Sequence, residues 1–292
     1  MARNSARIAL AAALAALIMA GCATTEKAPA PAAVSVPEND LLNATLWMQS
    51  SVEYKATTLG IYALARYRLD EALADKKWTA APDKQKENYR KLPPAIIFDA
   101  DETVFDNSKF QAEQIRQRFE YSEERWVEYV NAEVTDAIPG AVEFTNYAKS
   151  RGVAVFYVTN RSAATENATR ADLAELGFPL KDGEDTVLTK NERPEWTSKK
   201  GTRVASVADK YRVLLLLGDN MGDFTDDYYG TPEKRLEVYE ANKARWGKEW
   251  IALPNPAYGS WESAPFEGNF KLTPDERRQK KLDALEGWEG QR

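Results

Sequence analysis

Three short apolar runs, each closed by acidic or hydroxyl residues, constrain this chain more than any other feature. Ala95-Ile96-Ile97-Phe98 ends at Asp99, Val153-Ala154-Val155-Phe156-Tyr157-Val158 ends at Thr159, and Val213-Leu214-Leu215-Leu216-Leu217 ends at Gly218-Asp219. None of them alternates apolar with polar residues, so each strand must be covered on both faces, as in a parallel sheet packed between helices. The segments between them supply the helices. Leu42 and Leu46 sit four apart, and Leu59, Tyr62, Leu69 and Leu73 follow at helical offsets, with Gly60 expected to divide the stretch in two. Asn107 to Asn131 reads as mostly helical, another helix follows Pro139-Gly140, and Ser162 or Thr165 opens one that closes at Gly177. A helix is also expected around Thr202 to Lys210. Trp250-Ile251-Ala252-Leu253 reads as a late strand, and Thr273-Pro274-Asp275-Glu276 has the capping-box spacing of a last helix. The expected class is α/β, a Rossmann-like parallel sheet flanked by helices with a smaller, mainly helical cap.

Open parallel sheets bind ligands beyond the carboxyl ends of their strands. The residues there are Asp99-Ala100-Asp101, Thr159-Asn160-Arg161 and Gly218-Asp219-Asn220-Met221-Gly222-Asp223. The chain has no histidine and one cysteine, which excludes Ser-His-Asp triads, Cys-His pairs, His-ligated zinc and intramolecular disulfides. Catalysis falls to carboxylates, hydroxyls, Lys, Arg and a hard cation. Of Asp99 and Asp101, one carboxylate can attack a substrate while the other reaches its leaving group. Such neighbours raise each other's pKa unless a cation neutralises them. Asp219 and Asp223 can bring Mg²⁺, which needs only one or two protein carboxylates and a phosphate oxygen. Thr159, with Asn160 beside it, faces non-bridging phosphate oxygens. If Ser198 caps the next helix, Lys200 lies in its first turn against the helix dipole, a position better suited to phosphate than to stability. Lys199 is adjacent, and the sequence does not separate the two.

The first residues read as an address. Arg3 and Arg7 precede a 13-residue apolar run from Ile8 to Ala20, too short for a bilayer, which takes about 20 residues. The run ends in Met19-Ala20-Gly21-Cys22, holding the only cysteine. This segment resembles a bacterial lipoprotein signal, which implies cleavage before Cys22 and acylation (palmitate among the acyl groups) of that residue. Ala23, rather than Asp, implies the outer membrane of the cell envelope. Loss of Arg3 and Arg7 lowers the 39 basic residues to 37 against 45 acidic ones, formally −8, which argues against a nucleic acid polymer as partner. The expected organisation is a signal over 1–21, a lipidated Ala/Pro-rich tether over 22–40 and one domain over 41–292. Within that domain, helical parts over 41–92 and about 107–131 cover a core sheet drawn from 95–106 and 140–270.

Asp99-Ala100-Asp101-Glu102-Thr103, the Thr159 strand end, the Lys200 region and Gly218-Asp219-Asn220-Met221-Gly222-Asp223-Phe224 resemble the four motifs of the haloacid dehalogenase superfamily. More narrowly, the chain is similar to the class C acid phosphatases, surface lipoproteins with 5′-nucleotidase members. That similarity rests on the stretch from Leu46 to Tyr54, on Phe105-Asp106-Asn107-Ser108, on the stretch from Ala137 to Phe144, and on that from Leu253 to Glu262. It implies a Mg²⁺-dependent phosphomonoesterase acting on nucleoside monophosphates and other small esters, and suggests a homodimer. Asp99 would be the nucleophile that becomes a phosphoaspartyl group, and Asp101 the acid and then the base. Asp99, the main-chain carbonyl of Asp101 and Asp219 would hold Mg²⁺ with Asp223 close by, Thr159 and Lys200 would grip the phosphoryl oxygens, and Trp126 and Tyr258 would sandwich a nucleobase. Three positions depart from the pattern: Ala100 replaces a bulkier apolar residue, Gly222 an acidic one, and Thr197 a lysine.

Two other readings compete. A dehalogenase needs no acid two residues after its nucleophile, so Asp101 speaks against one. A ligand-binding surface lipoprotein without catalysis would leave the acidic set surplus. With carboxylates as the only acid–base groups, and Asp101 needing its proton first, the expected pH optimum is acidic.

Overall fold

The central strand of the sheet is the first in sequence. The computed structural model describes residues 38–288; the expected signal segment, the lipidation residue Cys22 and nearly all of the tether lie outside them. Strands β1 (Pro94–Phe98), β4 (Ala154–Ser162), β5 (Val187–Lys190), β6 (Arg212–Gly218) and β7 (Trp250–Ala252) form one sheet in the order β5-β4-β1-β6-β7. All its neighbouring pairs are parallel. Two very short strands, β2 (Phe105–Asp106) and β3 (Asp136–Ala137), pair antiparallel outside it. The chain fills one side of β1 with β4 and β5 and then returns to the other with β6 and β7, so β1 sits at the topological switch point. Phe98 is in register with Tyr157 and with Leu217. The residues just beyond each, Asp99, Thr159 and Asp219, therefore emerge at one edge.

Successive strand residues point to opposite faces, and each face has its own core. Ile96, Phe98, Tyr157, Leu215 and Leu217 pack with Tyr62, Leu69 and Phe144. Ala95, Ile97, Phe156, Val158 and Leu216 pack with Trp196, Val204 and Val207. The first layer is carried by α2 (Val52–Ala74) and α5 (Ala141–Ser150), the second by α7 (Gly201–Ala208). Every residue of β6 is buried, as its unbroken apolar run requires.

The cap consists of α1 (Leu42–Ser50), α3 (Ser108–Gln117) and α4 (Glu123–Asn131), with α6 (Glu166–Glu175) against the β4–β5 side. Helices α8 (Pro232–Ala241), α9 (Ser260–Ser263) and α10 (Pro274–Asp283) complete the chain, and α10 has the expected capping box between Thr273 and Glu276. No helix among the described residues is long and apolar enough to cross a membrane.

Three expectations are corrected here. Gly60 does not divide the first helical stretch: it lies exposed inside α2, where a Cβ would meet nothing within 4 Å. The break falls at Ser51, whose hydroxyl accepts from the Tyr54 N–H at 3.0 Å and starts α2. Leu42, Leu46 and Leu59 are about half exposed, while Thr45, Met48 and Tyr62 take the inward positions. Finally, Ser198 does not cap α7, which starts at Gly201 with Lys200 itself at the N-cap position.

Candidate active site

Asp99 continues the sheet by one residue, its N–H donating to the Leu217 carbonyl at 2.8 Å. The hydrogen bond holds its backbone against the end of β6. From the β6 side, the turn after Gly218 folds back so that Asp223 lies directly over that glycine; a Cβ at Gly218 would be 2.3 Å from the Asp223 Cβ. Only glycine fits there. Asp223 is fixed further by accepting the Asn220 N–H at 2.8 Å. Lys200 arrives from the start of α7, almost fully buried, and pairs with Asp99 and, at 2.7 Å, with Asp223. Gly201 beside it donates its N–H to Asp226 at 3.1 Å, and a Cβ there would collide with the same carboxylate. Lys199 is exposed, so the geometry chooses Lys200 as the cation of this cluster.

Carboxylate oxygens of Asp99, Asp219 and Asp223 lie within 4.8 Å of one another. The electrostatics follow from that crowding. Burial pushes Asp99 up to about 7, Lys200 opposing and Asp223 and Asp101 adding to the rise. Burial, then Asp223 and Asp99, holds Asp219 well above the carboxylate range. Burial alone would depress Lys200, but Asp223 and Asp99 outweigh it and keep the ammonium charged. One Lys is too little positive charge for one buried and two half-buried carboxylates crowded together, and all the donors are oxygens. That is the donor set of a hard divalent cation. Asp223 already spends one oxygen on Lys200 and the other on the Asn220 N–H. Asp219 is held more loosely, accepting from Asn255 at 2.9 Å and from Thr103 at 3.4 Å. Asp99 and Asp219 are the freer ligands.

Thr159, fully buried at the end of β4, accepts the Arg161 N–H on its hydroxyl at 3.0 Å, leaving the hydroxyl proton to donate. Asn160 differs from expectation. Its side chain donates to the Ser198 carbonyl at 3.0 Å and accepts from Arg203 at 2.7 Å, so it ties the strand end to the Lys200 segment. Arg203, buried in α7, completes this tie by donating to the Thr159 and Thr197 carbonyls.

Asp101 lies on the other side of the turn, facing the cap. Its Oδ1 accepts from Arg161 Nε at 2.9 Å and from Asn107 Nδ2 at 3.0 Å. Glu102 follows with a left-handed φ of 53° and a fully buried carboxyl, which burial and the Asp101 and Asp219 charges push well above the carboxylate range. That carboxyl accepts the Asn107 N–H at 2.9 Å and the Tyr258 hydroxyl. Asn255 accepts the Ala257 and Tyr258 N–H groups, so it anchors Asp219 and the Tyr258 turn together. Trp126 packs edge-on to Phe110 at 5.1 Å, with the Arg161 guanidinium 5.7 Å from its ring. Tyr258 and Trp126 thus reach the aspartate turn along separate routes, one through Glu102 and one through Arg161.

The structure brings together Asp99, Asp101, Thr159, Lys200, Asp219 and Asp223. Sequence reasoning assigned no role to Arg161, Asn107, Glu102, Asp172, Arg203 or Asn255. Their signal was weak: each is a polar residue at a strand end, in a loop or in a helix, with a partner on another element. Gly222, where an acidic residue is common, packs against the Tyr228 ring, 3.2 Å from a would-be Cβ, and Ala100 is fully buried. Two surface cavities, of about 490 and 380 Å³, lie away from this rim and include none of its acidic residues.

Comparison with known proteins agrees with this arrangement. A family model described as HAD superfamily, subfamily IIIB (acid phosphatase) matches residues 13–261. A solved class C acid phosphatase from Bacillus anthracis is 32% identical, with a TM-score of 0.74, covering 85% of this chain and 98% of that one. A Bacillus anthracis class C acid phosphatase structure with tungstate bound is 31% identical over the same shares, also with a TM-score of 0.74. With its acidic cluster at the carboxyl edge of a five-stranded parallel sheet and a match over most of its length, the chain belongs to the acid phosphatases of HAD subfamily IIIB.

Proposed function

We propose that this acid phosphatase hydrolyses nucleoside 5′-monophosphates and other small phosphomonoesters through a phosphoaspartyl group on Asp99. The observation that carries the reading is the buried Lys200 bridging Asp99 and Asp223, with Asp219 in reach of both. A phosphoryl group entering this cluster meets a nucleophile, a fixed ammonium and the Thr159 hydroxyl at once. Asp99 attacks phosphorus, and the phosphorus–oxygen bond to the leaving alcohol breaks as Asp101 delivers a proton to that oxygen. Asp101, now a carboxylate, takes a proton from water, whose oxygen displaces Asp99 and releases phosphate. Splitting one displacement into two easier ones is the gain of covalent catalysis.

The residues fit Mg²⁺. Asp99, Asp219 and the main-chain carbonyl of Asp101 would hold it, with Asp223 steadied by Lys200 alongside, and it would supply charge neutralisation for the phosphoryl oxygens. Tungstate, a tetrahedral oxyanion like phosphate, bound to the Bacillus anthracis class C acid phosphatase supports an oxyanion-binding site of this kind. Trp126 and Tyr258 are the rings proposed to receive a nucleobase. The N-terminal pattern supports removal of residues 1–21, acylation at Cys22 and anchoring of a soluble body to the outer membrane, where the enzyme would act as a homodimer on small esters.

Phosphate release from p-nitrophenyl phosphate, with and without EDTA, tests the chemistry. Asp99→Asn is expected to lower turnover by about four orders of magnitude or more while the far-UV circular dichroism stays unchanged. Turnover near wild type in that variant, or in the presence of EDTA, rejects the assignment.

A further inference from the structure

Asp101 is held by two residues that the proposed reaction does not otherwise use. Arg161, from the end of β4, has a side chain with no exposure at all. Its Nε donates to Asp101 Oδ1 at 2.9 Å, one terminal nitrogen donates to Asn107 Oδ1 at 3.2 Å, and the other lies 3.5 Å from Asp172 and 3.4 Å from the Thr169 hydroxyl. Its guanidinium sits 4.5 Å from the Phe105 ring centroid. Asn107, at the start of α3, donates its side-chain amide to the same Asp101 Oδ1 at 3.0 Å and accepts from Arg161 on its carbonyl. The three side chains close a ring of hydrogen bonds between the sheet edge and the cap. Moving any of them would strand buried polar groups without partners, which is costly.

Both bonds to Asp101 fall on Oδ1, leaving Oδ2 to the substrate. We propose that Arg161 and Asn107 are positioning residues that aim Asp101 Oδ2 at the ester oxygen of the leaving group. The inference rests on Asp101 being the general acid. In the first step the phosphorus–oxygen bond breaks with its electron pair on oxygen, and the proton on Oδ2 passes to that oxygen. Asp101 is left a carboxylate whose Oδ1 already accepts from a guanidinium and an amide. Such bonds strengthen as the acceptor gains charge, so the pair favours the state that the step creates. In the second step the same oxygen recovers a proton from the attacking water.

This assignment predicts a dependence on the leaving group. p-Nitrophenolate leaves with little help from a proton, whereas the alkoxide of glycerol 3-phosphate cannot. Asn107→Ala and Arg161→Lys are each expected to lose about tenfold more in kcat/KM on glycerol 3-phosphate than on p-nitrophenyl phosphate, since misaim of an acid by about 1 Å can cost up to 10²-fold. Asp101→Asn serves as the reference and should show the same bias more strongly. Equal losses on the two esters in the variants, with the bias intact in Asp101→Asn, overturn the positioning role and leave the acid in place. Equal losses in Asp101→Asn overturn the acid itself. The two variants disturb opposite ends of the ring, so either one, once it melts cooperatively, decides the matter.

Discussion

The two halves of the site are built by different means. The half proposed to hold the phosphate (Asp99, Thr159, Lys200, Asp219 and Asp223) hangs on the ends of three adjacent parallel strands and one helix start, where backbone register brings the side chains together. The half proposed to receive the leaving group (Asp101, Arg161, Asn107, Trp126 and Tyr258) is assembled by side chains reaching across a turn, a cap and a late loop. The first needs only a correct sheet. The second needs every link of a buried polar network, where an unsatisfied member is costly. Mutations should therefore act without regard to the leaving group in one half and selectively in the other.

The sharpest separation is Lys200→Met. It removes the charge proposed to face the transferring phosphoryl group while keeping an unbranched stem. The expected loss is about 10²–10³ in kcat/KM, and it should be equal for p-nitrophenyl phosphate and glycerol 3-phosphate. A bias toward one ester would erase the distinction between the halves.

The same division explains what the sequence made legible. The three apolar runs gave away β1, β4 and β6, and the residue after each run announced Asp99, Thr159 and Asp219, because parallel register turns local pattern into long-range adjacency. β5 escaped notice: Val187–Lys190 is four residues long and ends in polar Thr189 and Lys190. Lys200 could be told from Lys199 only once it was seen buried and paired with Asp99 and Asp223 while Lys199 stays exposed. The Arg161–Asn107–Asp101 ring was illegible because its partners are 60 and 6 residues apart and share no period. Leu42 and Leu46 misled for the opposite reason, offering a helical spacing on a face the fold leaves half exposed. Pattern reads elements; it does not read which side chain crosses to which.

A smaller effect tests the far end of the leaving-group half. Base stacking on one aromatic ring is worth about 1–3 kcal/mol. Trp126→Ala should raise KM for a nucleoside monophosphate about tenfold while leaving glycerol 3-phosphate nearly unaffected. Because Trp126 also packs against Phe110 and Tyr129, some thermal stability should be lost as well, but that loss cannot discriminate between substrates. An unchanged nucleotide KM would remove this ring from the binding site and weaken the nucleotide reading with it.

The smallest effect is in stability and its sign is fixed by the acidic crowding. Asp99 is pushed up to about 7 by burial and its acidic neighbours, and Asp172, by burial, to about 6 despite Arg161. In the unfolded chain both titrate near 3.8. Between about pH 4 and pH 7 the unfolded state has therefore released protons that the folded state still holds, so folding stability falls as pH rises through that window. Half-buried Glu184 and exposed Glu233 and Glu276 shift downward and oppose the trend only from near the surface, where such interactions are weak. Metal-free protein in EDTA should melt at least about 2–4 °C higher at pH 5 than at pH 7.5, the shift that about 1 kcal/mol produces in a domain of this size. Mg²⁺ at pH 7.5 should recover most of the difference if, as proposed, it binds the folded state alone and replaces the protons on Asp99 and Asp219. The part it fails to recover belongs to Asp172 and to fully buried Glu102, both outside the acidic trio and both raised by burial. A melting temperature that rises from pH 5 to 7.5 without metal would mean that the carboxylates around Lys200 are not crowded, and the two halves would then be no different in kind.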